Sequence, residues 1–154
     1  MRSRPYAPGY GIPSSPRGML PWSFVEERMI AARDYWVATV LPTGGPHLTP
    51  VWGLWVEGAF YFGRAQRTRK ARNLAEHPNV AVHPQSDDVV IIEGSVETVT
   101  DPDPALAERV YAASTAKYGF GSRDIEGSYA VRPRVVFAWA ASGFPSTATR
   151  WVID

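Results

Sequence analysis

Residues 47–74 read HLTPVWGLWVEGAFYFGRAQRTRKARNL, and two periodicities meet inside them. From His47 to Val56 apolar, aromatic and β-branched residues dominate, as in a strand; Glu57-Gly58 is a tight-turn pair; Ala59 to Phe62 resumes the strand composition. After Thr68 the pattern changes. Ala71, Leu74 and Ala75 recur at helical spacing, which makes Thr68 the N-cap and places Arg69 and Lys70 in the first turn. A hairpin that runs directly into a helix predicts a mixed, mainly β domain.

Working outward, Tyr35 to Leu41 predicts a strand that Pro42-Thr43-Gly44-Gly45-Pro46 turns back toward His47. Upstream, Ser23 with Glu26 is a capping-box pattern for a helix reaching about Arg33, with Val25, Met29 and Ala32 on one face. Downstream, Val80 to His83 and Val89 to Val99 predict strands, the second bent or bulged at Gly94. Asp103 and Pro104 cap a helix carrying Leu106, Val110 and Ala113, which Gly119 stops. Val135 to Ala140 and Ala148 to Val152 complete the strands, with Pro133 and Pro145 expected to keep both entrances off central ladders. Short antiparallel strands with few helices predict an α+β fold whose sheet rolls into a small barrel.

The chain has 154 residues and 45% hydrophobic content, which suits one domain with a real core over residues 22–154. Residues 1–21 hold five prolines, three glycines and three serines, the composition of a flexible or surface-draped arm. Cysteine is absent, so no disulfide framework, thiolate nucleophile or Cys-based metal site is expected. No apolar run approaches the roughly 20 residues of a membrane helix, and the basic N-terminus lacks an apolar core segment after it. The expected location is the cytoplasm. Sixteen basic residues against fifteen acidic ones leave a net charge of +1, without the broad positive field of a nucleic-acid binder.

What charge there is crowds into one place. Arg64, Arg67, Arg69, Lys70 and Arg72 fall between Gly63 and Leu74, with no acid from Gly58 to Ala75. Cations at a helix N-terminus are unfavourable by about 0.3–1 kcal/mol each, so their concentration there points to an anion that offsets it. Helix N–H donors, a Thr hydroxyl, an Arg fork and a Lys point charge together form a phosphate clamp of the kind that holds a nucleotide-like cofactor. A solvated basic face is the plainer alternative.

Other chemistry is sparse. His77 precedes Pro78 at a helix end, His83 precedes Pro84 at a strand end, and His47 opens a strand without H-x-x-x-H or H-E-x-x-H spacing, so no metal site is expected. No G-x-S-x-G elbow, Rossmann glycine motif or P-loop occurs. Trp36, Trp52, Trp55, Trp139 and Trp151, with Tyr61, Phe62 and Phe137, lie in or beside predicted strands; most are core, and a few are candidates to stack on a planar ring.

The stretch ATVLPTGGPHLTPVWGLWVEGAFYFGRAQRTRKARNLAEHPNVAVH, Ala38 to His83, resembles the pyridoxamine 5′-phosphate oxidase-like split β-barrel proteins. Within them it is most similar to the actinobacterial flavin/deazaflavin oxidoreductases, which bind FMN or coenzyme F420. The similarity runs from about Trp22 to Val152 and includes EGSVETVTDP and the terminal ATRW. The resemblance implies an antiparallel split β-barrel with peripheral helices and a homodimer whose cofactors lie at the subunit interface. It also implies that Thr68, Arg69 and Lys70 take the family's phosphate-binding role, and that Thr49, Pro50 and Val51, followed by Trp52, pass along the ring edge. His47 and Trp52 stand where FMN-dependent members acting on vitamin B6 place an Arg and a Lys. Gly63 and Arg64 stand where relatives carry small hydroxyl residues.

The function implied is that of a cytoplasmic, homodimeric F420H2-dependent reductase delivering a hydride to a small conjugated or aromatic acceptor. Arg64, Arg67 and Arg72 would reach the extra anionic groups of the deazaflavin coenzyme. The alternatives are an FMN-dependent oxidoreductase of the same family, and a non-catalytic module holding a cofactor or haem, with His47 or His83 as axial ligand. Neither membrane nor nucleic-acid partners are expected.

Overall fold

The structure, a computed structural model, describes residues 1–63 and 67–154. In chain order the elements are β1 (Arg2–Ser3), α1 (Trp22–Ala31), β2 (Tyr35–Val40), β3 (Pro46–Val51), β4 (Gly53–Val56), β5 (Ala59–Phe62) and α2 (Arg69–Glu76). Then follow β6 (Asn79–Pro84), β7 (Val89–Thr98), α3 (Pro104–Tyr118), β8 (Tyr129–Trp139), a 3-10 turn at Ala141–Gly143, and β9 (Thr149–Val152). The described strands form one antiparallel sheet in the order β1-β9-β8-β7-β6-β2-β3, from which β5 branches at β8 and carries β4. The sheet curls but does not close. It is an α+β split barrel, as expected, rather than a sealed one.

The branch explains where sequence reading of single strands failed. The run His47 to Val56 is two strands: β3 pairs with β2, and β4 pairs with β5. The chain changes partner between Val51 and Gly53, at Trp52. Glycine is required there, because a Cβ on Gly53 would lie 2.2 Å from the Phe60 ring. Gly94 does mark a bulge: the β7–β8 register shifts between Glu93 and Gly94, where a Cβ would meet the Arg132 carbonyl oxygen at 2.2 Å.

Pro133 sits inside β8, not at its entrance. The strand starts at Tyr129 and pairs with β7 along one edge; on the other edge it pairs with β5 through Val131 and with β9 from Val135. Pro133 occupies the interval between those two partners, so its missing N–H interrupts neither ladder.

The capping box of α1 also fails to form. Its N-cap is Pro21, with no side-chain cap bond, and Ser23 lies within the first turn. Starting the helix at Trp22 packs that indole 5.6 Å from the Trp151 ring and 6.5 Å from Trp55, a burial that outweighs a cap worth about 1 kcal/mol. The helix stops at Ala31, with Ala32 closing onto the Arg28 carbonyl at 3.2 Å, short of Arg33. At α3 the sequence signals hold: Asp103 accepts from the Ala105 N–H at 3.1 Å, Pro104 leads, and Gly119 ends the helix at φ 80°.

Two apolar clusters share β4 and β5, which are buried on both faces. Phe60, Phe62 and Trp55 join Val25, Met29 and Tyr35 beneath α1. Leu54, Val56, Ala59 and Tyr61 join Ala107 and Val110 beneath α3. The unbroken apolar run AFYF is thus the signature of a strand with no solvent face.

Residues 1–21 run along the outside of the sheet. β1 pairs with β9, and the Arg4 guanidinium donates to the carbonyls of Ser15, Arg17, Ser146 and Ala148 at 2.7–2.9 Å. No helix among the described residues is long and apolar enough to cross a membrane.

Candidate functional site

The basic helix begins as its sequence predicts. Thr68 is the N-cap of α2, and its hydroxyl accepts from the Ala71 N–H at 3.1 Å. Arg69 and Lys70 occupy the first turn, which holds no acid. Among the described residues neither has a carboxylate within 4.0 Å. Lys70 is half-buried, its Nζ 5.4 Å from the centroid of the Phe62 ring, and burial lowers its pKa from the usual lysine value. Desolvated, unpaired positive charge beside free helix N–H groups is the electrostatic condition for holding an anion.

Arg67 adopts a left-handed backbone, φ 69°, and its side chain is exposed. It borders a cavity of about 420 Å³ with Ala71, Arg72, Val96, Thr98 and Tyr129. On the other side of α2 a cavity of about 520 Å³ is bounded by Leu41, Pro42, Thr43, Arg69 and Arg72. The helix therefore offers guanidinium groups to two concavities. Gly63 is exposed, and a side chain there would meet no described atom within 4 Å. Arg64 lies outside the described residues.

The helix is tied to the strand predicted to carry the cofactor ring. Asn73, 1% exposed, donates to the Thr39 hydroxyl at 3.0 Å, and that hydroxyl lies 3.5 Å from His47 Nδ1. Lys70 and Asn73, three residues apart, share one face of α2. His47, Thr49 and Val51 are the half-buried positions of β3, whereas Leu48 and Pro50 are exposed. The Thr49 hydroxyl is buried and has no hydrogen-bond partner among the described residues. An orphaned hydroxyl on that strand is a place where a bound polar ring edge would complete the structure.

The structure does not gather all the predicted residues in one spot. Pro50 is on the opposite face of β3 from His47, Thr49 and Val51. Trp52, 54% exposed, stacks on Tyr118 with ring centroids 4.7 Å apart and planes within 7°. Five residues of extended chain, about 17 Å, separate it from His47. His83 stands on β6 opposite Trp36, and the backbone N–H of His77 closes α2 by donating to the Asn73 carbonyl at 2.8 Å.

A second group around Tyr118 escaped the sequence reading. Lys117 Nζ donates to the Tyr35 hydroxyl at 2.6 Å and to the Gly53 carbonyl at 3.3 Å. The Tyr118 hydroxyl donates to the Arg33 carbonyl at 2.7 Å and accepts from the Gly53 N–H at 3.0 Å. Burial, with a smaller contribution from Arg33, lowers the Lys117 pKa to about 8. Burial chiefly raises those of Tyr35 and Tyr118. No motif signals this group, because its members come from α1's end, β2, β4 and α3. Asn73 and Thr39 could have been suspected: each is a polar residue at a core position of its pattern.

The donor set at α2 and the orphaned Thr49 hydroxyl fit a phosphate-bearing, ring-containing cofactor. No curated protein matches this sequence. Among solved structures, the fold is shared with the conserved hypothetical protein Rv2991 of Mycobacterium tuberculosis (20% identity, TM-score 0.66, covering 86% of this chain and 94% of that one). It is shared with an F420 reductase (23%, 0.56, 79% and 98%) and with a FAD-binding protein of Mesorhizobium loti (15%, 0.57, 85% and 94%). The family model for pyridoxamine 5′-phosphate oxidase matches residues 25–143, which run from α1 through β8 and include both α2 and β3. The chain belongs to the pyridoxamine 5′-phosphate oxidase family.

Proposed function

We propose that this protein is a flavin- or deazaflavin-dependent oxidoreductase, with F420 as its cofactor and a small conjugated or aromatic acceptor as its substrate. The observation that carries the reading is the first turn of α2, where Arg69 and a desolvated Lys70 follow the Thr68 cap at the N–H end of the helix, with no carboxylate within 4.0 Å of either cation among the described residues. These groups hold the phosphate. His47, Thr49 and Val51 border the ring, the Thr49 hydroxyl supplying a hydrogen bond left unmade among the described residues. Bound there, the cofactor carries the hydride, so no catalytic triad is needed. The chain's part is to position it and keep water away.

F420 is favoured over FMN by what β3 lacks. His47 and Trp52 offer no fixed cation to an FMN phosphate, while Arg67 and Arg72 border a cavity beside α2 where the longer anionic tail of the deazaflavin coenzyme can reach them; Arg64, outside the described residues, is assigned to that tail from the sequence alone. The active form is a homodimer. Support comes from the outer face of β3 and β2, where Leu48 (60% exposed), Pro50 and Trp36 (37%) form an exposed apolar strip of the kind a partner copy covers.

Fluorescence titration of F420 and FMN against the same protein, at low and physiological salt, tests the assignment. F420 is expected to bind at least ~10-fold tighter and with steeper salt dependence. Equal or tighter FMN binding would overturn it in favour of an FMN enzyme. Light scattering of the 17.0 kDa chain at micromolar concentration tests the dimer.

A further inference from the structure

Between the end of α1, β4 and α3 lies a cavity of about 430 Å³, lined by Ile30, Arg33, Leu54, Trp55, Ala113 and Lys117. It shares no lining residue with α2 or β3. Its volume is that of a small-molecule site, and its walls are apolar except for two cations and an indole. Trp55 is 7% exposed, and its indole N–H has no hydrogen-bond partner among the described residues. The Lys117 ammonium meets only neutral oxygens, those of Tyr35 and Gly53, and no carboxylate lies within 4.0 Å among the described residues. Arg33 adds a second positive charge and is anchored by donating to the Lys117 carbonyl at 2.8 Å.

We propose that this cavity binds a small carboxylate-bearing molecule with an apolar body, its carboxylate held by Lys117 and Arg33, beside the Trp55 ring. The depressed pKa of Lys117 agrees with a cation that lacks its counter-ion. A phosphate is the wrong anion here. Both α1 and α3 end beside this cavity, where Ala31 and Lys117 line it, and their C-terminal poles oppose any anion, a dianion more than a monoanion, whose single charge the two cations offset. The apolar walls of Ile30, Leu54 and Ala113 take a ring or branched chain.

The test is a titration of the full ¹⁵N-labelled chain, without cofactor, with benzoate and with its neutral isostere benzamide. The Trp55 indole cross-peak is assigned from Trp55→Phe. Benzoate is expected to shift that peak saturably, and benzamide to bind at least ~10-fold more weakly. Lys117→Met should weaken benzoate by a similar factor while Lys117→Arg retains most of the affinity, which separates lost charge from lost folding. Lys70→Ala should leave benzoate binding unchanged. Equal binding of benzamide, an unmoved Trp55 peak, or a loss in Lys70→Ala as large as in Lys117→Met would each overturn the assignment.

Discussion

The first turn of α2 and the last turn of α3 each present cations without carboxylate partners among the described residues, and they hold them in opposite ways. At α2 the charges stand at the positive pole of a helix, where the backbone repels them and recruits an anion. At α3 Lys117 stands at the negative pole, where the dipole favours it, yet burial takes its water away and only hydroxyl and carbonyl oxygens replace it. Helix polarity made the first site legible along a single segment. The second is a product of packing, because four separate elements had to converge before Lys117 lost its solvent.

The largest effect that would sharpen this contrast is on cofactor binding. Replacing Arg69 and Lys70 together with Ala removes two charge-assisted contacts of about 1.5–3 kcal/mol each, so affinity for F420 should fall at least ~100-fold while thermal stability holds or rises slightly. Lys117→Met should leave that affinity within a factor of about 2–3, since Lys117 shares no contact with α2. If the two variants behave alike in the titration, the sites are not separate.

The link from α2 to β3 comes next. Asn73→Ala leaves the buried Thr39 hydroxyl short of a donor and opens a small void, which should cost about 1–3 kcal/mol of unfolding free energy in urea. A loss no larger than that of an exposed substitution on α2 would mean the helix is not anchored through this pair.

A smaller effect separates the sites by pH. Lys117 releases its proton near pH 8 in the folded chain and near 10.5 when solvated, so between those values the folded state binds fewer protons than the unfolded one. Stability attributable to this group therefore rises with pH across that window, by well under the ~1.4 kcal/mol per pH unit limit, because solvent screens the half-exposed ammonium. The difference between the parent chain and Lys117→Met isolates it from other titrating groups. A flat difference from pH 7.5 to 10.5 would show Lys117 fully solvated.

The smallest change expected is at the cap. Thr68→Ala removes the hydroxyl that accepts from Ala71 and should lower stability by about 1 kcal/mol in the same urea assay. A larger loss would make Thr68 a structural residue first and an anion ligand second.

Local signals read correctly where one segment decided the outcome. Thr68 capping α2, Asp103-Pro104 opening α3, Gly119 closing it and the bulge at Gly94 all rest on the conformational preferences of a few neighbouring residues. The failures share a different cause. Trp52 splits one apparent strand in two because β3 and β4 have different partners, and Pro133 is tolerated within β8 because β5 and β9 leave a gap there. Ser23 lost the cap of α1 to Trp22, whose gain lies in contacts with Trp55 and Trp151 far along the chain.

By itself, the sequence determined the mainly β character, the basic helix and its N-terminal chemistry, since propensity, capping and charge placement act within one or two turns. Only the tertiary structure decided which strand pairs with which, which face of β3 turns inward with His47, Thr49 and Val51, and that Lys117, Arg33 and Trp55 line one cavity. Those outcomes depend on contacts between residues distant in the chain, set by how the whole core packs, and no local pattern encodes them.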